Sequence, residues 1–295
     1  MPGRPDFDPG AAIGVFDSGI GGLSVLGALR EALPNEHFVY VADSAWTPYG
    51  ERRDEIVLER TEAITRHLRE AHAVKALVIA CNTASAVAVE RLREDHPDWP
   101  IVAIEPALKP AARHTLSGHV TVLATRGTLA SGKYAALRLR VSATAPQLRF
   151  TEIACDGLAA AIEQWALDGD GTACDELVDR YLAPVFHPAM GFPAVDTVVL
   201  GCTHYPLIGE QIRLRVPTTV ALLDAGAPVA RQTWRLLNQA SLLRPPSHDG
   251  PALDRPGQVR LLATGDTARL QAAARRWLDL PPGDERVERV ELASA

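Results

Sequence analysis

The chain has few lysines and no long apolar run. Only three of its 30 Lys and Arg residues are lysines, and its formal net charge is -6 at pH 7. Nucleic-acid binding depends on clustered Lys and Arg that contact phosphates, so we expect no nucleic-acid partner. No apolar run approaches the roughly 20 residues that a membrane helix needs, so we expect no membrane span. At 295 residues, the chain is long enough for two compact domains.

Cysteines are also few. The four present have no CxxC spacing, which in a chain of this size favours free thiols in a reducing cytoplasm over a disulfide framework. The first ten residues hold three prolines and several charges but no apolar core. We therefore interpret residues 1–10 as a loose extension and not as a secretory signal, and we expect a cytoplasmic protein.

Two of the cysteines, Cys81 and Cys202, stand in matching settings. Each comes at the end of a short apolar run typical of a buried parallel strand and precedes small hydroxyl or amide residues. Open α/β sheets build their active sites at the carboxyl ends of strands. We therefore predict that both thiols are functional, whereas Cys155 and Cys174 lack this setting and are assigned to packing.

The order of the predicted elements repeats along the chain. A strand at 13–16 leads through a Gly-rich turn into a helix over 23–33, and a later strand ends at Cys81. In the second half a strand at 120–123 also runs into a turn, and another strand ends at Cys202. The repetition predicts two similar α/β lobes. Further predicted elements are a strand at 37–42, helices over 52–71 and 84–95, a strand at 101–104, a surface loop over 244–257 and an edge strand at 287–292.

The Gly-rich turn after the first strand admits two functional interpretations. It approximates a dinucleotide-binding motif but lacks the last glycine, and Asp17 would repel a pyrophosphate. Alternatively, backbone N–H groups at the start of the helix hold a small carboxylate, with the Ser18 hydroxyl as a further donor. In either case the glycines also permit close packing of the helix on the strand.

Reactive thiols need a nearby base, cation or helix N-terminus. His204 is the candidate base beside Cys202, and Asp17, at a neighbouring strand end, is the candidate for Cys81. A zinc site at Cys202 and His204 is permitted by spacing, but the paired ligands of structural zinc are absent from the sequence, so we expect no metal. We expect no pyridoxal cofactor either, because none of the three lysines adjoins a cysteine motif.

Four segments carry a resemblance to a known family: IGVFDSGIGGL (13–23), PYG (48–50), ACNTA (80–84) and GCTHYPL (201–207). Together they resemble the motifs of the glutamate racemases, in the cofactor-independent aspartate/glutamate racemase superfamily. The resemblance continues to the segment LLATGD (261–266) and so covers nearly the whole chain. It implies two pseudo-symmetric, doubly wound lobes with mainly parallel sheets and the active site in the cleft between them. We place lobe A at 12–107 and 225–295 and lobe B at 108–224.

The resemblance also implies an activity: cofactor-independent interconversion of L- and D-glutamate, which supplies D-glutamate for peptidoglycan. Cys202 would remove the α-proton of L-glutamate and Cys81 would return a proton to the opposite face, with the roles exchanged for D-glutamate. Asp17 would assist Cys81, His204 would assist Cys202, and Glu163 falls near the auxiliary acid. The implied substrate-binding residues are Asp17, Ser18, Tyr49, Gly50, Asn82, Thr83, Thr203 and His204. A homodimer without cofactor is implied as well.

Two fixed thiols suit this reaction on physical grounds, because one base that swings between two faces would demand a large motion. Other interpretations stay open. An aspartate racemase or a related decarboxylase of the same superfamily would use similar lobes. A non-catalytic carboxylate-binding regulator would keep the site without turnover.

Overall fold

The chain folds as two units, the first of which is discontinuous in sequence. The computed structural model describes residues 7–186, 195–245, 257–281 and 283–292. Within these residues, Met1–Ile104 and Gly226–Ala295 contribute to the first unit, and Glu105–Ala225 form the second. Most of the loop predicted at 244–257, and residues 1–6 of the predicted extension, lie outside the described residues.

The first unit is built on a six-stranded sheet in which all neighbouring strands are parallel. Its strands are β1 (Ile13–Asp17), β2 (Phe38–Ala42), β3 (Ala76–Ile79), β4 (Ile101–Ala103), β9 (Val259–Ala263) and β10 (Val287–Arg289). They lie in the order β10-β9-β2-β1-β3-β4. The helices of this unit are α1 (Leu23–Ala32), α2 (Asp54–His72), α3 (Asn82–Asp95), α10 (Gly226–Ala240) and α11 (Thr267–Trp277). A short 3₁₀ turn occupies Tyr49–Glu51.

The second unit has a four-stranded parallel sheet. Its strands are β5 (His119–Ala124), β6 (Arg149–Ala154), β7 (Thr197–Leu200) and β8 (Ala221–Leu223), in the order β6-β5-β7-β8. Its helices are α4 (Leu108–His114), α5 (Arg126–Ala130), α6 (Gly132–Thr144), α7 (Leu158–Asp168), α8 (Thr172–Phe186) and α9 (Gly209–Arg213). A 3₁₀ turn at Tyr205–Ile208 precedes α9.

The two units share one strand order. The run β2-β1-β3-β4 of the first unit has the same connectivity as β6-β5-β7-β8 of the second. In the paired registers, Phe16 of β1 lies opposite Ile79, and Leu123 of β5 lies opposite Leu200. The predicted α/β fold with two similar, mainly parallel sheets is thus confirmed. It places Cys81 and Cys202 at equivalent positions, each two residues beyond the equivalent strand end.

The buried strands consist mainly of apolar residues, and this composition favours their burial. All residues of β1, β2, β3 and β7 are buried, as expected for parallel strands with both faces covered by helices. Of these, Phe16, Val41 and Ile79 belong to the core of the first unit, which α2 and α3 complete with residues such as Ile64 and Val89.

Some predicted boundaries were wrong by two residues. The strands predicted to end at Cys81 and Cys202 end at Ile79 and Leu200, and the helix predicted to begin at Ala84 begins at Asn82. The reason is that Cys81 caps α3 and has left the strand. The edge strand predicted at 287–292 is present but shorter: it is β10, which ends at Arg289 and pairs in parallel with β9.

Gly22 allows the turn after β1 to approach the sheet. Any residue can adopt its backbone φ of -62°. Glycine is therefore needed here because there is no room for a side chain, and not because of the backbone conformation. A Cβ at this position would lie 2.7 Å from Asp17 Cβ and 2.8 Å from the Tyr40 hydroxyl. The turn can therefore pack against Asp17 only because the side chain is absent.

We expect Gly22→Ala to destabilise the protein by about 1–3 kcal/mol, the usual range for overpacking. Urea unfolding followed by circular dichroism measures the change. Gly132→Ala is the matched control, since a Cβ there meets no atom within 4 Å and alanine favours the helix. Equal effects of the two substitutions would contradict this account.

Candidate active site

Cys81 lies at the N-terminus of α3, in the first unit. Its Sγ accepts a hydrogen bond from the backbone N–H of Ala84 at 3.5 Å. Burial, and after it the Asp17 carboxylate, raise the pKa of the Cys81 thiol, the hydrogen bonds from the Ala84 N–H and from Ser18 offset only part of this, and the net pKa is about 12. The thiol is therefore neutral at physiological pH and has a proton to donate.

Asp17 is the last residue of β1, the strand next to β3, and Ser18 follows it, so both residues come close to Cys81. Cys81 Sγ lies 3.9 Å from Ser18 Oγ, and Ser18 Oγ donates to Asp17 Oδ1 at 3.2 Å. The backbone N–H of Gly19 also donates to Asp17 Oδ1, at 2.9 Å. The structure thus brings the predicted pair together, with Ser18 between thiol and carboxylate. The Gly19 N–H is one of the backbone donors that we expected to bind a ligand carboxylate at the Gly-rich turn, and it bonds to Asp17 instead.

The turn Tyr49–Glu51 lies beside the start of α3. A Cβ on Gly50 would be 3.9 Å from Thr83 Oγ1, so Gly50 and Thr83 are neighbours. The Tyr49 side chain is buried, and its hydroxyl donates to Asp43 Oδ2 at 2.5 Å. Burial, together with the Asp43 carboxylate, raises the pKa of Tyr49, which keeps the phenol neutral. The role of Tyr49 in substrate binding stays a prediction.

Cys202 lies in the turn after β7, in the second unit, and has different partners. Its Sγ is 3.7 Å from His204 Nδ1, and His204 Nε2 is 2.9 Å from Glu163 Oε1. Burial by itself lowers the pKa of His204, but the hydrogen bonds to Cys202 and Glu163 outweigh it and raise the pKa well above the usual value. A positively charged imidazole therefore lies beside the sulfur of Cys202.

Glu163 reaches His204 from the buried face of α7. The sequence suggested this residue only through the family resemblance, and the structure brings it to the site. One local signal was available: Leu158, Ile162, Glu163 and Ala166 follow helical spacing and are all buried, so an acidic residue falls on the apolar face of the helix. A buried carboxylate of this kind needs a partner.

The remaining predicted residues adjoin the two thiols. Thr203 is buried next to Cys202, whereas Asn82 and Thr83 are partly exposed in the first turn of α3. Both cysteines assigned to packing are buried. Among the described residues, no three His, Cys, Asp or Glu side chains are grouped so as to hold a metal ion.

Sequence reasoning missed Asp43. It is fully buried and bonds to Tyr49, and it follows β2 directly, next to Asp17 at the end of β1. A carboxylate placed immediately after a buried strand was therefore a signal for this residue as well.

Comparison with known proteins agrees with these motifs. Residues 13–233 match the family described as Asp/Glu/Hydantoin racemase. The chain belongs to this racemase family. The glutamate racemase of Ectopseudomonas mendocina (strain ymp) is 48% identical to this racemase-family chain over 263 residues, which are 89% of this chain and 92% of the relative.

Solved structures of racemases have the same fold. Escherichia coli glutamate racemase, crystallised with L-glutamate and the activator UDP-MurNAc-Ala, matches with a TM-score of 0.79 and 32% identity, covering 96% of this chain and 99% of that chain. Francisella tularensis glutamate racemase in complex with D-glutamate matches with a TM-score of 0.75 and 27% identity, covering 97% of this chain and 100% of that chain. The predicted family is thereby confirmed.

The two thiols of this racemase-family enzyme differ in their charged neighbours. Cys81 has the Asp17 carboxylate, and Cys202 has the His204–Glu163 pair. Because a thiolate is the reactive form of cysteine, iodoacetamide at pH 8 should alkylate Cys202 roughly tenfold or more faster than Cys81. Peptide mass spectrometry over time measures both rates. Access is comparable, since the residues are 8% and 6% exposed.

His204→Asn should remove most of this preference, because the cation beside Cys202 is lost. The alkylation rate of Cys81 should keep rising with pH up to the limit of folding, since the pKa of its thiol is raised to about 12. Equal rates for the two wild-type cysteines, or faster labelling of Cys81, would count against the assigned partners.

Proposed function

We propose that this chain interconverts L- and D-glutamate by a two-thiol mechanism without a cofactor. The observation that carries the proposal is the pair of cysteines at equivalent positions of one repeated strand order, each with its own proton partner. The relatives support the substrate: the Escherichia coli structure holds L-glutamate, and the Francisella tularensis structure holds D-glutamate.

With L-glutamate, the Cys202 thiolate removes the α-proton and becomes a thiol. The Cys81 thiol gives its proton to the opposite face of the same carbon and becomes a thiolate. No atom or electron is left over: one C–H bond breaks, one forms, and the proton count of the enzyme is unchanged. Starting from D-glutamate, the two thiols exchange roles. The proposal requires that both sulfur atoms reach one Cα from opposite sides.

His204 and Glu163 act on the Cys202 step. The imidazolium stabilises the thiolate before the reaction, and Glu163 fixes the orientation of the ring through Nε2. Asp17 and Ser18 act on the Cys81 step. When Cys81 is the base, its thiol first gives its proton to Asp17 through Ser18. Alternatively, the dipole of α3 and the Ala84 N–H stabilise the Cys81 thiolate.

The difficult part of the reaction is acidity, because the Cα–H of an amino acid is a far weaker acid than a thiol, whose ordinary pKa is about 8.5. The developing carbanion therefore needs hydrogen-bond donors on the substrate carboxylate, in surroundings with little water. Asn82, Thr83 and Thr203 are the donors that we assign to this task, since each adjoins one of the thiols.

The wider setting is also proposed. None of the described helices is long and apolar enough to cross a membrane, and all four cysteines are free, which fits a reducing compartment. We infer a cytoplasmic homodimer whose product, D-glutamate, serves peptidoglycan synthesis. The family resemblance supports both points.

Circular dichroism of L-glutamate, D-glutamate and L-aspartate tests the proposal. The signals of both glutamate enantiomers should decay to zero with the wild-type enzyme, and Cys81→Ser and Cys202→Ser should each slow the decay about 10²- to 10⁴-fold, as loss of an acid–base group does. Cys174→Ala, a buried cysteine of α8, is the control and should stay active.

Each outcome of this assay separates the alternatives. Decay of L-aspartate alone would point to an aspartate racemase, and no decay on any substrate would favour a carboxylate-binding regulator. Full activity of either serine variant, with an unchanged melting temperature, would remove that cysteine from the mechanism.

A further inference from the structure

The loop after β2 is fastened to the rest of the first unit at one buried carboxylate, Asp43. Its two oxygens accept four hydrogen bonds: from the Tyr49 hydroxyl at 2.5 Å, from Arg60 Nε at 3.0 Å and NH2 at 2.8 Å, and from the Thr264 hydroxyl at 2.6 Å. We call these four residues the Asp43 cluster. They come from three segments that are distant in sequence, namely the loop after β2, helix α2 and the loop after β9, and the cluster connects these segments.

Thr264 belongs to the loop after β9, which lies beside β2 in the sheet. Its hydroxyl donates to Asp43 and also accepts the backbone N–H of Ala45 at 3.3 Å. The next residue, Gly265, donates its N–H to Ser44 Oγ at 3.1 Å, and a Cβ on it would lie 2.8 Å from the Ala45 nitrogen. The two loops therefore touch along their backbones, and Thr264 is bonded to two residues of the loop after β2.

Arg60 holds the same loop from the side of α2. Its guanidinium pairs with both oxygens of Asp43 and lies over the Trp46 ring, 5.1 Å from the ring centroid. Such a two-point pairing fixes direction as well as distance. Arg60 therefore contacts the loop at its first residue and again near its middle.

Outside the Asp43 cluster, the loop is held by the Gly265 N–H bond to Ser44 and by the Tyr49 ring, which packs in the core of the first unit. Of residues 44–53, Tyr49 is buried and the others are partly or fully exposed. Loops with few buried apolar contacts open easily. The place of Tyr49, and of Gly50 beside Thr83, thus depends on the hydrogen bonds of the Asp43 cluster.

We propose that Arg60 and Thr264 are positioning residues, which act through Asp43 to hold the Tyr49–Gly50 turn where it binds substrate beside Thr83. Neither residue is in the predicted site. The inference rests on the proposed function in so far as the ligand is glutamate. A loosened turn should weaken substrate binding and leave proton transfer at the thiols nearly unchanged, because Cys81 keeps its own partners, Ser18 and Ala84.

Thr264→Val tests this, since it removes the hydroxyl and keeps the branched shape. Hydrogen–deuterium exchange of the backbone at 45–51 should become roughly fivefold to tenfold faster, because a hydrogen bond to a charged group is lost. For the same reason KM for both glutamate enantiomers should rise by about the same factor, with kcat changed less than about twofold. Thr264→Ser should restore both values, and Arg60→Lys should show a partial effect of the same kind.

Thr233→Val is the matched control. Thr233 is a buried threonine of the first unit, whereas Thr264 is partly buried, and the Thr233 hydroxyl donates to the Val229 carbonyl within α10. This variant should leave exchange at 45–51 and KM at wild-type values, even where it lowers the melting temperature.

Two results would overturn the inference. One is unchanged exchange at 45–51 in Thr264→Val, and the other is a lower melting temperature with unchanged KM, which would make the cluster purely structural. Failure of the proposed function gives a different result: wild-type protein that neither racemises glutamate nor binds it in a calorimeter. In that event faster exchange in Thr264→Val would still show that the cluster holds the turn, but the assigned role toward glutamate would be wrong.

Discussion

Parallel strand pairing is the constraint on which both candidate half-sites depend. Parallel neighbours end at the same edge of a sheet, so the residues that follow them meet there. In the first unit Asp17 ends β1 while Asp43 and Cys81 follow β2 and β3, and in the second unit Cys155 and Cys202 follow β6 and β7. The topology of each sheet therefore brings these residues to one edge, whatever contacts their side chains make.

The two units agree in topology and differ in charge. Cys81 adjoins a hydroxyl and a carboxylate, and Cys202 adjoins an imidazole held by Glu163. In the first setting burial and the Asp17 carboxylate raise the pKa of the Cys81 thiol, and in the second a cationic His204 lies beside Cys202. In the proposed mechanism one thiol takes a proton from one face of Cα and the other returns a proton to the opposite face, and the difference in partners suits these two roles.

Local patterns predicted much of the fold and both thiols. Apolar runs marked β1, β3 and β7, and the polar residues after Cys81 and Cys202 marked the strand ends. Long-range pairings were beyond this reasoning: Glu163 meets His204 across 41 positions, and Asp43 meets Thr264 across 221. The second pairing exists because β9 inserts beside β2, an order that no local pattern encodes. The exact start of α3 was also missed, because Cys81 is a cap and not a strand residue.

The fate of the α-proton tests the two-thiol account most directly. L-Glutamate is incubated with the wild-type enzyme in D2O, and both enantiomers are analysed by mass spectrometry at low conversion. The account predicts deuterium at Cα of the newly formed D-glutamate and protium in the remaining L-glutamate, because the donating thiol has exchanged its hydrogen with solvent. D-Glutamate that retains the original protium would show that one group removes and returns the same proton, and would contradict the account.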